Sequence, residues 1–253
     1  RIGWKGEARY ILLNHIKKLD KTNSPLMIQR YLALGINFKN LSFSDICKQK
    51  LLPSLTSSNT HKLETLKKLQ YIKSNKKILT ICPGAAFGPA KQWPAEYHAQ
   101  IANTMLNNNW EIWLLGAGAD MQIINKINTL TNNKCYVFGN TASLTNKIDL
   151  LKMSDIVVAN DSGLLHITCA VNTPVIAIYG STTPEFTPPL SDNNIILSIP
   201  TKNLSCKPCF KRTCKYKHYK CLQDIAPNTV LESIKKLQNN IKTTTHLNLK
   251  KNQ

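Results

Sequence analysis

Four short segments combine glycine, hydroxyl and charged residues in the way that phosphate- and sugar-handling loops require. The most specific is Asn160-Asp161-Ser162-Gly163-Leu164-Leu165-His166, which follows the apolar run 156–159. A strand that leads through Asp-Ser-Gly into a helix aims the first backbone amides of that helix outward, an arrangement suited to a diphosphate. Gly163 lets an anion approach the backbone closely. Asp161 repels phosphate and is expected to accept hydrogen bonds from sugar hydroxyls, with His166 about one turn into the helix at the same mouth. The alternative is an N-capping Asp beside a core histidine.

The segment Pro83-Gly84-Ala85-Ala86-Phe87-Gly88-Pro89-Ala90-Lys91-Gln92-Trp93-Pro94 is a shaped loop that carries Lys91 to the start of a helix, with Pro94 expected in its first turn. A lysine beside helix-start amides makes a good phosphate contact. In Leu115-Gly116-Ala117-Gly118-Ala119-Asp120 a G-x-G follows a strand, but Met121 occupies the third glycine position, so NAD or FAD is not expected. Asp120 suits ribose hydroxyls or, alternatively, a helix N-cap. Tyr179-Gly180-Ser181-Thr182-Thr183 offers a hydroxyl-rich rim. The sequence contains no G-x-S-x-G elbow, Walker loop or H-E-x-x-H.

Of eight cysteines, Cys47, Cys82, Cys135 and Cys169 are scattered in apolar surroundings and read as reduced core residues. The other four form Cys206-x2-Cys209-x4-Cys214-x6-Cys221. Only the first pair has a typical zinc spacing and the later gaps are loose, so reduced or redox-labile thiols and a structural metal, zinc, both stay open as readings. Such a site would brace a loop, since it has neither an open coordination position nor a partner base.

These loops need a frame. From Lys77 onward, apolar runs at 78–82, 111–115, 135–138, 156–159, 175–179 and 195–199 alternate with helical patterns at 94–106, 120–130, 144–153 and 163–171. Alternation of this kind predicts a parallel sheet covered on both faces, a doubly wound α/β domain over 76–241. Thr229-x-x-Glu232 predicts a capping box for a last helix carrying Val230, Ile234, Leu237 and Ile241 on one face. The polar tail 242–253 is expected to be disordered. Residues 1–75 show helical spacing at 7–16, 25–34 and 61–74 and no strand before residue 78. They read as a helical remnant of a larger domain plus a connector.

The formal charge of +19 comes from 29 Lys and only four Arg. Lys, Asn and Ile together make up 80 of 253 residues, and all three have A/T-rich codons. Base composition therefore accounts for most of the charge, and nucleic-acid sites favour Arg. The local exception is Lys202 to Lys220, with seven basic residues and no acidic one. No run of ~20 apolar residues suggests a transmembrane segment. The chain opens Arg1-Ile2-Gly3-Trp4-Lys5, with neither a Met nor a secretory pattern, and is read as a fragment or processed product.

Several motifs, in order, carry a family resemblance. Gly84-Ala85-x-Phe87-Gly88-Pro89-Ala90-Lys91-x-Trp93-Pro94, Asn160-Asp161-Ser162-Gly163-Leu164-x-His166 and Tyr179-Gly180-Ser181-x-x-Pro184-x-Phe186-Thr187-Pro188-Pro189 resemble the ADP-heptose:lipopolysaccharide heptosyltransferases. Arg9-Tyr10-x-Leu12-Leu13-Asn14, Leu19-Asp20-Lys21, Pro25-Leu26-Met27, Arg30-Tyr31 and Pro208-Cys209-Phe210-Lys211-Arg212 extend the similarity over nearly the whole chain.

The resemblance implies a GT-B fold of two Rossmann domains, of which the C-terminal one is complete here and binds the nucleotide sugar. It implies donor contacts from Lys91, Asp120, Asp161, Ser162, Gly163 and His166, and inverting transfer of L-glycero-D-manno-heptose from ADP-heptose to an inner-core heptose of lipopolysaccharide. A carboxylate would deprotonate the acceptor hydroxyl, while Lys91 and the 162–163 amides stabilise the departing diphosphate without a catalytic metal. A paralogue with another acceptor is the near alternative. A zinc-knuckle nucleic-acid binder and a non-catalytic remnant are the alternatives from other classes, and no nucleic-acid partner is expected. The implied location is cytoplasmic, peripheral to the inner membrane of a Gram-negative bacterium, with segment 202–220 facing the phosphorylated glycolipid. The family's base is an Asp in a glycine-containing loop early in the N-terminal domain. Neither Asp20 nor Asp45 sits in such a loop, so the base is expected upstream of Arg1, and the chain as given is expected to bind donor weakly or not at all and not to turn over.

Overall fold

The computed structural model describes residues 1–6, 8–35 and 42–251, with side chains as far as residue 240. The chain divides into two compact units, one of Arg1–Pro53 with Thr183–Pro188, the other of Ser54–Thr182 with Pro189–Gln253.

In the first unit, β1 (Ile2–Trp4) pairs in parallel with β2 (His15–Lys17), Ile2 opposite His15. This corrects the expectation of a helix over 7–16 and no strand before residue 78. Only Arg9–Ile11 form a helical turn, of 3-10 type, behind Ala8 at φ 53. A left-handed residue there stops an α-helix from forming, and three-residue strands are too short to display a period of two. Glu7 lies outside the described residues. Helix α1 (Met27–Gly35) begins just after Pro25, and the Met27 amide donates to the Phe186 carbonyl at 2.9 Å. The Arg30 guanidinium lies 4.7 Å from the centroid of the Phe186 ring. Helix α2 (Phe43–Lys48) is opened by a Ser42/Asp45 capping box.

The second unit opens with α3 (Asn59–Lys68), capped by Ser58. The sequence pattern places the domain boundary at 75/76, yet the connector is already fastened to this unit. Leu55 donates its amide to the Ala170 carbonyl at 2.9 Å. Ser57 and Thr65 hydroxyls donate to the buried Asp149 carboxylate at 2.5 and 2.7 Å. Tyr71 joins the core edge-on to Trp113 and hydrogen-bonds Glu111. Polar groups 84 to 92 residues apart in sequence meet here, which no local pattern discloses.

The sheet follows: β3 (Ile78–Cys82), α4 (Ala95–Asn107), β4 (Glu111–Leu115), α5 (Met121–Leu130), β5 (Tyr136–Phe138), α6 (Leu144–Met153), β6 (Ile156–Asn160), α7 (Gly163–Ala170), β7 (Val175–Tyr179) and β8 (Asn194–Ser198). All six strands are parallel, in the order β5-β4-β3-β6-β7-β8. Strands β3, β4, β6 and β7 are buried at every residue. Their side chains alternate between two cores. Leu79, Ile81, Ile112, Leu114, Ile156, Val158, Ile176 and Ile178 meet α4, α5 and the last helix, α9 (Pro227–Lys251). Ile78, Cys82, Trp113, Leu115, Val157, Ala159, Val175 and Tyr179 meet α3, α6 and α7. Two-sided burial explains why these strands read as unbroken apolar runs.

After α8 (Lys220–Gln223), α9 runs Pro227–Lys251. It starts at Pro227, whose missing N–H costs nothing at a first helical position, so Thr229 and Glu232 lie inside the helix and do not open it. The backbone stays helical past residue 241, through the stretch expected to be disordered, where no Gly or Pro stops it. Residues 252 and 253 lie outside the described residues.

His98 gives the fold a pH signature. It is fully buried, edge-on to Trp93 at 4.8 Å, and both ring nitrogens lack a hydrogen-bond partner. Burial pushes its pKa from 6.5 down to about 3. The unfolded chain therefore takes up a proton below pH 6.5 that the folded chain refuses. The stability contributed by neutral His98 is complete above pH 6.5 and is lost as pH falls from 6.5 toward 3. Denaturant titrations should show about 2 kcal/mol lost between pH 6.5 and 5 from this residue alone, and His98→Phe should flatten that slope.

Candidate functional site

Successive connections leave β3 and β6 in opposite directions, toward β4 on one side and β7 on the other. At such a switch point the loops diverge and a crevice opens beyond the carboxyl ends of the two strands. The fully buried Asn160 side chain bridges the two loops: its Nδ2 donates to the Pro83 carbonyl at 2.6 Å and its Oδ1 accepts from the Trp93 amide at 3.4 Å. Sequence motifs include Asn160 but do not reveal this bracing role.

Lys91 ends a 3-10 turn, Pro89–Lys91, and its Nζ stands 2.6 Å from Asp161 Oδ2 and 3.4 Å from the Asp161 carbonyl. Asp161 is 4% exposed and Lys91 15%. The Thr182 hydroxyl donates to the same Oδ2 at 2.7 Å, and His166 Nε2 lies 3.9 Å from Oδ1. Burial lowers the His166 pKa and Asp161 opposes that shift. The sequence assigns Lys91 to phosphate and Asp161 to sugar as separate groups; here they form one ion pair. The pairing removes the objection that Asp161 repels phosphate, because its charge is balanced on the spot. An ammonium has three hydrogens; both of the described Lys91 hydrogen bonds go to Asp161, and the Nζ also lies 5.1 Å from the centroid of the Phe87 ring.

The N-cap of α7 is Ser162, not Asp161, and its hydroxyl makes no capping hydrogen bond. A Cβ at Gly163 would meet no heavy atom within 4 Å, so the helix start faces open space. Ser162 and Gly163 border a cavity of about 270 Å³ together with Gly84, Asp120, Leu144 and Lys147. Asp120 precedes α5, yet its side chain makes no cap bond to that helix. Its carboxylate lies where a Gly84 Cβ would be, with Cγ at 2.1 Å, so any larger residue at position 84 would displace it. Lys147 is 6% exposed; burial lowers its pKa and Asp120 opposes that shift. Lys147 was missed because one lysine among 29 carries no signal. A charged residue within the apolar 144–151 pattern was the available clue. A larger cleft, about 430 Å³, is bordered by Gln92, Gln122, Lys126 and Tyr219. Its cation, Lys126, is 56% exposed and already paired with Glu96, so the cleft offers little for an anionic ligand.

The sequence profile of glycosyltransferase family 9 (heptosyltransferase) matches residues 1–220. The chain belongs to glycosyltransferase family 9. The lipooligosaccharide heptosyltransferase 2 of Haemophilus influenzae is 36% identical over 244 residues, covering 94% of this chain and 69% of that protein. The lipopolysaccharide heptosyltransferase 2 of Escherichia coli is 34% identical over 242 residues, covering 94% and 68%. The solved E. coli ADP-heptose LPS heptosyltransferase II superposes with a TM-score of 0.81 at 33% identity, over 96% of this chain and 70% of that one. A family 9 glycosyl transferase from Veillonella parvula shares the fold, with a TM-score of 0.70 at 18% identity. The α/β fold of the expected GT-B type is thus the family's fold, and the chain is a glycosyltransferase.

In this family 9 chain the four clustered cysteines border a cavity of about 190 Å³ with Lys207 and His218. Among the described residues, no three His, Cys, Asp or Glu side chains stand at metal-ligand spacing. Of the scattered cysteines, Cys82 and Cys169 are buried as expected, while Cys47 and Cys135 are only half-buried. The carboxylates Asp20 and Asp45 serve local structure. Asp20 accepts the Thr22 and Asn23 amides at 2.9 and 3.2 Å, and Asp45 caps α2. Those hydrogen bonds hold both pKa values below the usual range, which weakens either group as a base. Among the described residues no helix is long and apolar enough to cross a membrane.

Proposed function

We propose that the chain is an inverting heptosyltransferase that passes L-glycero-D-manno-heptose from ADP-heptose to an inner-core heptose of lipopolysaccharide, with the donor held by the second unit. The Lys91–Asp161 pair at the switch point, beside the Asp120 cavity, is the observation that carries this reading. The adenosine lies in the cavity, its base against Leu144 and Leu164 and its ribose hydroxyls toward Asp120. The diphosphate meets the Ser162–Gly163 amides. Lys91 balances the charge that grows on ADP as the anomeric carbon–oxygen bond breaks. Asp161, which Thr182 and His166 contact in turn, holds that lysine, and this group reaches the heptose hydroxyls. The acceptor hydroxyl attacks from the opposite side and gives its proton to a carboxylate other than Asp20 or Asp45. The names of the relatives support the second heptose as the one transferred. The exposed Lys202, Lys211, Lys215, Lys217 and Lys220 support an approach to an anionic, cytoplasmic membrane face.

Thermal unfolding with ADP tests the donor assignment. At 100 times its Kd, ADP should stabilise the chain by about 2.7 kcal/mol, whereas adenosine, which lacks the diphosphate, should give a much smaller shift. Equal shifts from ADP and adenosine, or none from either, would contradict it.

A further inference from the structure

The donor contacts of Asp120, the 162–163 amides and Lys91 leave one charged group of the donor cavity unused, Lys147. We infer that Lys147 reads the nucleobase: its ammonium donates to N3, the acceptor on the sugar edge of adenine, and so makes the site select adenine over guanine. This inference rests on the donor reading of the same cavity.

The placement of Lys147 follows from how α6 is fastened. Ser143 Oγ accepts the Asn146 amide at 3.2 Å, and Asn146 Oδ1 accepts the Ser143 amide at 3.1 Å. Asn146 Nδ2 donates to Thr65 Oγ1 at 2.9 Å, and that hydroxyl donates to Asp149 at 2.7 Å. Residues 146 and 149 therefore face α3. Residue 147, about 100° further round the helix, shares the cavity side with Leu144, three residues earlier. Lys147 is 6% exposed, and no described residue accepts a hydrogen bond from its ammonium. A buried cation without an acceptor is costly. Burial lowers its pKa and the Asp120 carboxylate opposes that shift, so charge attraction is supplied but a hydrogen-bond acceptor is not. A ligand that brings an acceptor to this point removes the cost.

The surroundings decide which acceptor. The walls Ala86, Ala117, Leu144, Leu164 and Ile167 are apolar and suit a flat base, while the diphosphate has the α7 amides and Lys91. Asp120 and Lys147 together leave the cavity without net charge, as an uncharged nucleoside requires. The Gly118 amide donates to Asn140 Oδ1 at 2.8 Å, which ties the Asp120 turn to the segment leading into α6 and keeps carboxylate and ammonium in register. With the ribose hydroxyls on Asp120, the neighbouring ammonium meets the edge of the base that flanks the ribose. On that edge adenine presents N3 alone, whereas guanine adds its 2-amino group, a donor. An ammonium is only a donor. It therefore matches adenine there and opposes guanine.

Calorimetric titration of the full chain with ADP and with 3-deaza-ADP, in which C–H replaces N3, tests this at mildly alkaline pH, where both bases are neutral. ADP should bind about tenfold tighter than the analogue, the effect of one charge-assisted hydrogen bond. GDP should bind about tenfold weaker than ADP, and IDP, which lacks the 2-amino group, better than GDP. Lys147→Met removes the donor and keeps most of the side-chain length. The variant should bind ADP about tenfold more weakly and no longer distinguish it from 3-deaza-ADP. Equal binding of ADP and 3-deaza-ADP by the unaltered chain would overturn the inference. So would a variant that weakens both ligands equally, the mark of a lysine that only holds Asp120 or touches phosphate. If Lys147→Met fails to fold, the comparison in the unaltered chain still decides. No binding of ADP at all would bring down the donor assignment and this inference together, whereas ADP binding without preference over its analogue sinks the inference alone.

Discussion

Replacing Lys91 with alanine is expected to abolish the stabilisation that ADP confers and to lower ADP affinity by about 100-fold, the effect of losing a charge-assisted contact of about 3 kcal/mol. The same change leaves Asp161, 4% exposed, without its counter-charge. Breaking a buried pair from one side costs about 3 kcal/mol, since the remaining carboxylate has lost its solvent and its partner. Thr182 still donates to it, which moderates the loss. Pairing Lys91→Met with Asp161→Asn separates structure from binding. The double variant should regain most of the lost stability, because no unpaired charge remains, yet still show no ADP-dependent shift. Recovery of the shift in the double variant would make the lysine a structural residue only. The readouts are calorimetric titration with ADP and thermal unfolding with and without it.

Trp93→Ala should have the largest effect on the fold itself, about 4 kcal/mol, or roughly a 10 °C fall in Tm for a domain of this size. The indole is fully buried, stacks edge-on against Tyr97 and His98, and donates Nε1–H to the Ile225 carbonyl at 3.0 Å. Its backbone amide meets Asn160, and Lys91 lies two residues before it. Removing the ring therefore opens a cavity where the donor loop is anchored, and ADP binding should weaken along with stability. Trp93→Phe keeps most of the packing and leaves one carbonyl unpaired, a loss of about 1–2 kcal/mol. Equal losses from the two variants would mean that packing around the ring contributes little.

The central sheet was legible because its strands are buried on both faces, so each appears as an apolar run of about five residues between turn signals. Strands β3, β4 and β7 fall at the residues the pattern names. The pair β1–β2 was illegible for the opposite reason: three residues hold too little pattern, and Tyr10, Leu13 and Ile16 imitate a helix. The site loops were legible as loops, since each follows a strand, but not their pairings. That Lys91 and Asp161 meet across 70 residues depends on strand order, which spacing does not encode. Asp120 was legible as an acid after a glycine pair. That its carboxylate occupies the space left by Gly84 is a three-dimensional fact. Lys147 was hidden by composition, and the Asn160 bridge by the anonymity of one asparagine among 26.

The most direct measurement is a crystal structure of the chain with ADP. The donor assignment predicts adenosine in the cavity beside Asp120 and Lys147, the diphosphate over Ser162 and Gly163, and Lys91 Nζ within hydrogen-bonding distance of a phosphate oxygen. ADP in the cleft beside Gln122 and Lys126, or at no defined place while the β3–β6 crevice holds only water, would contradict it.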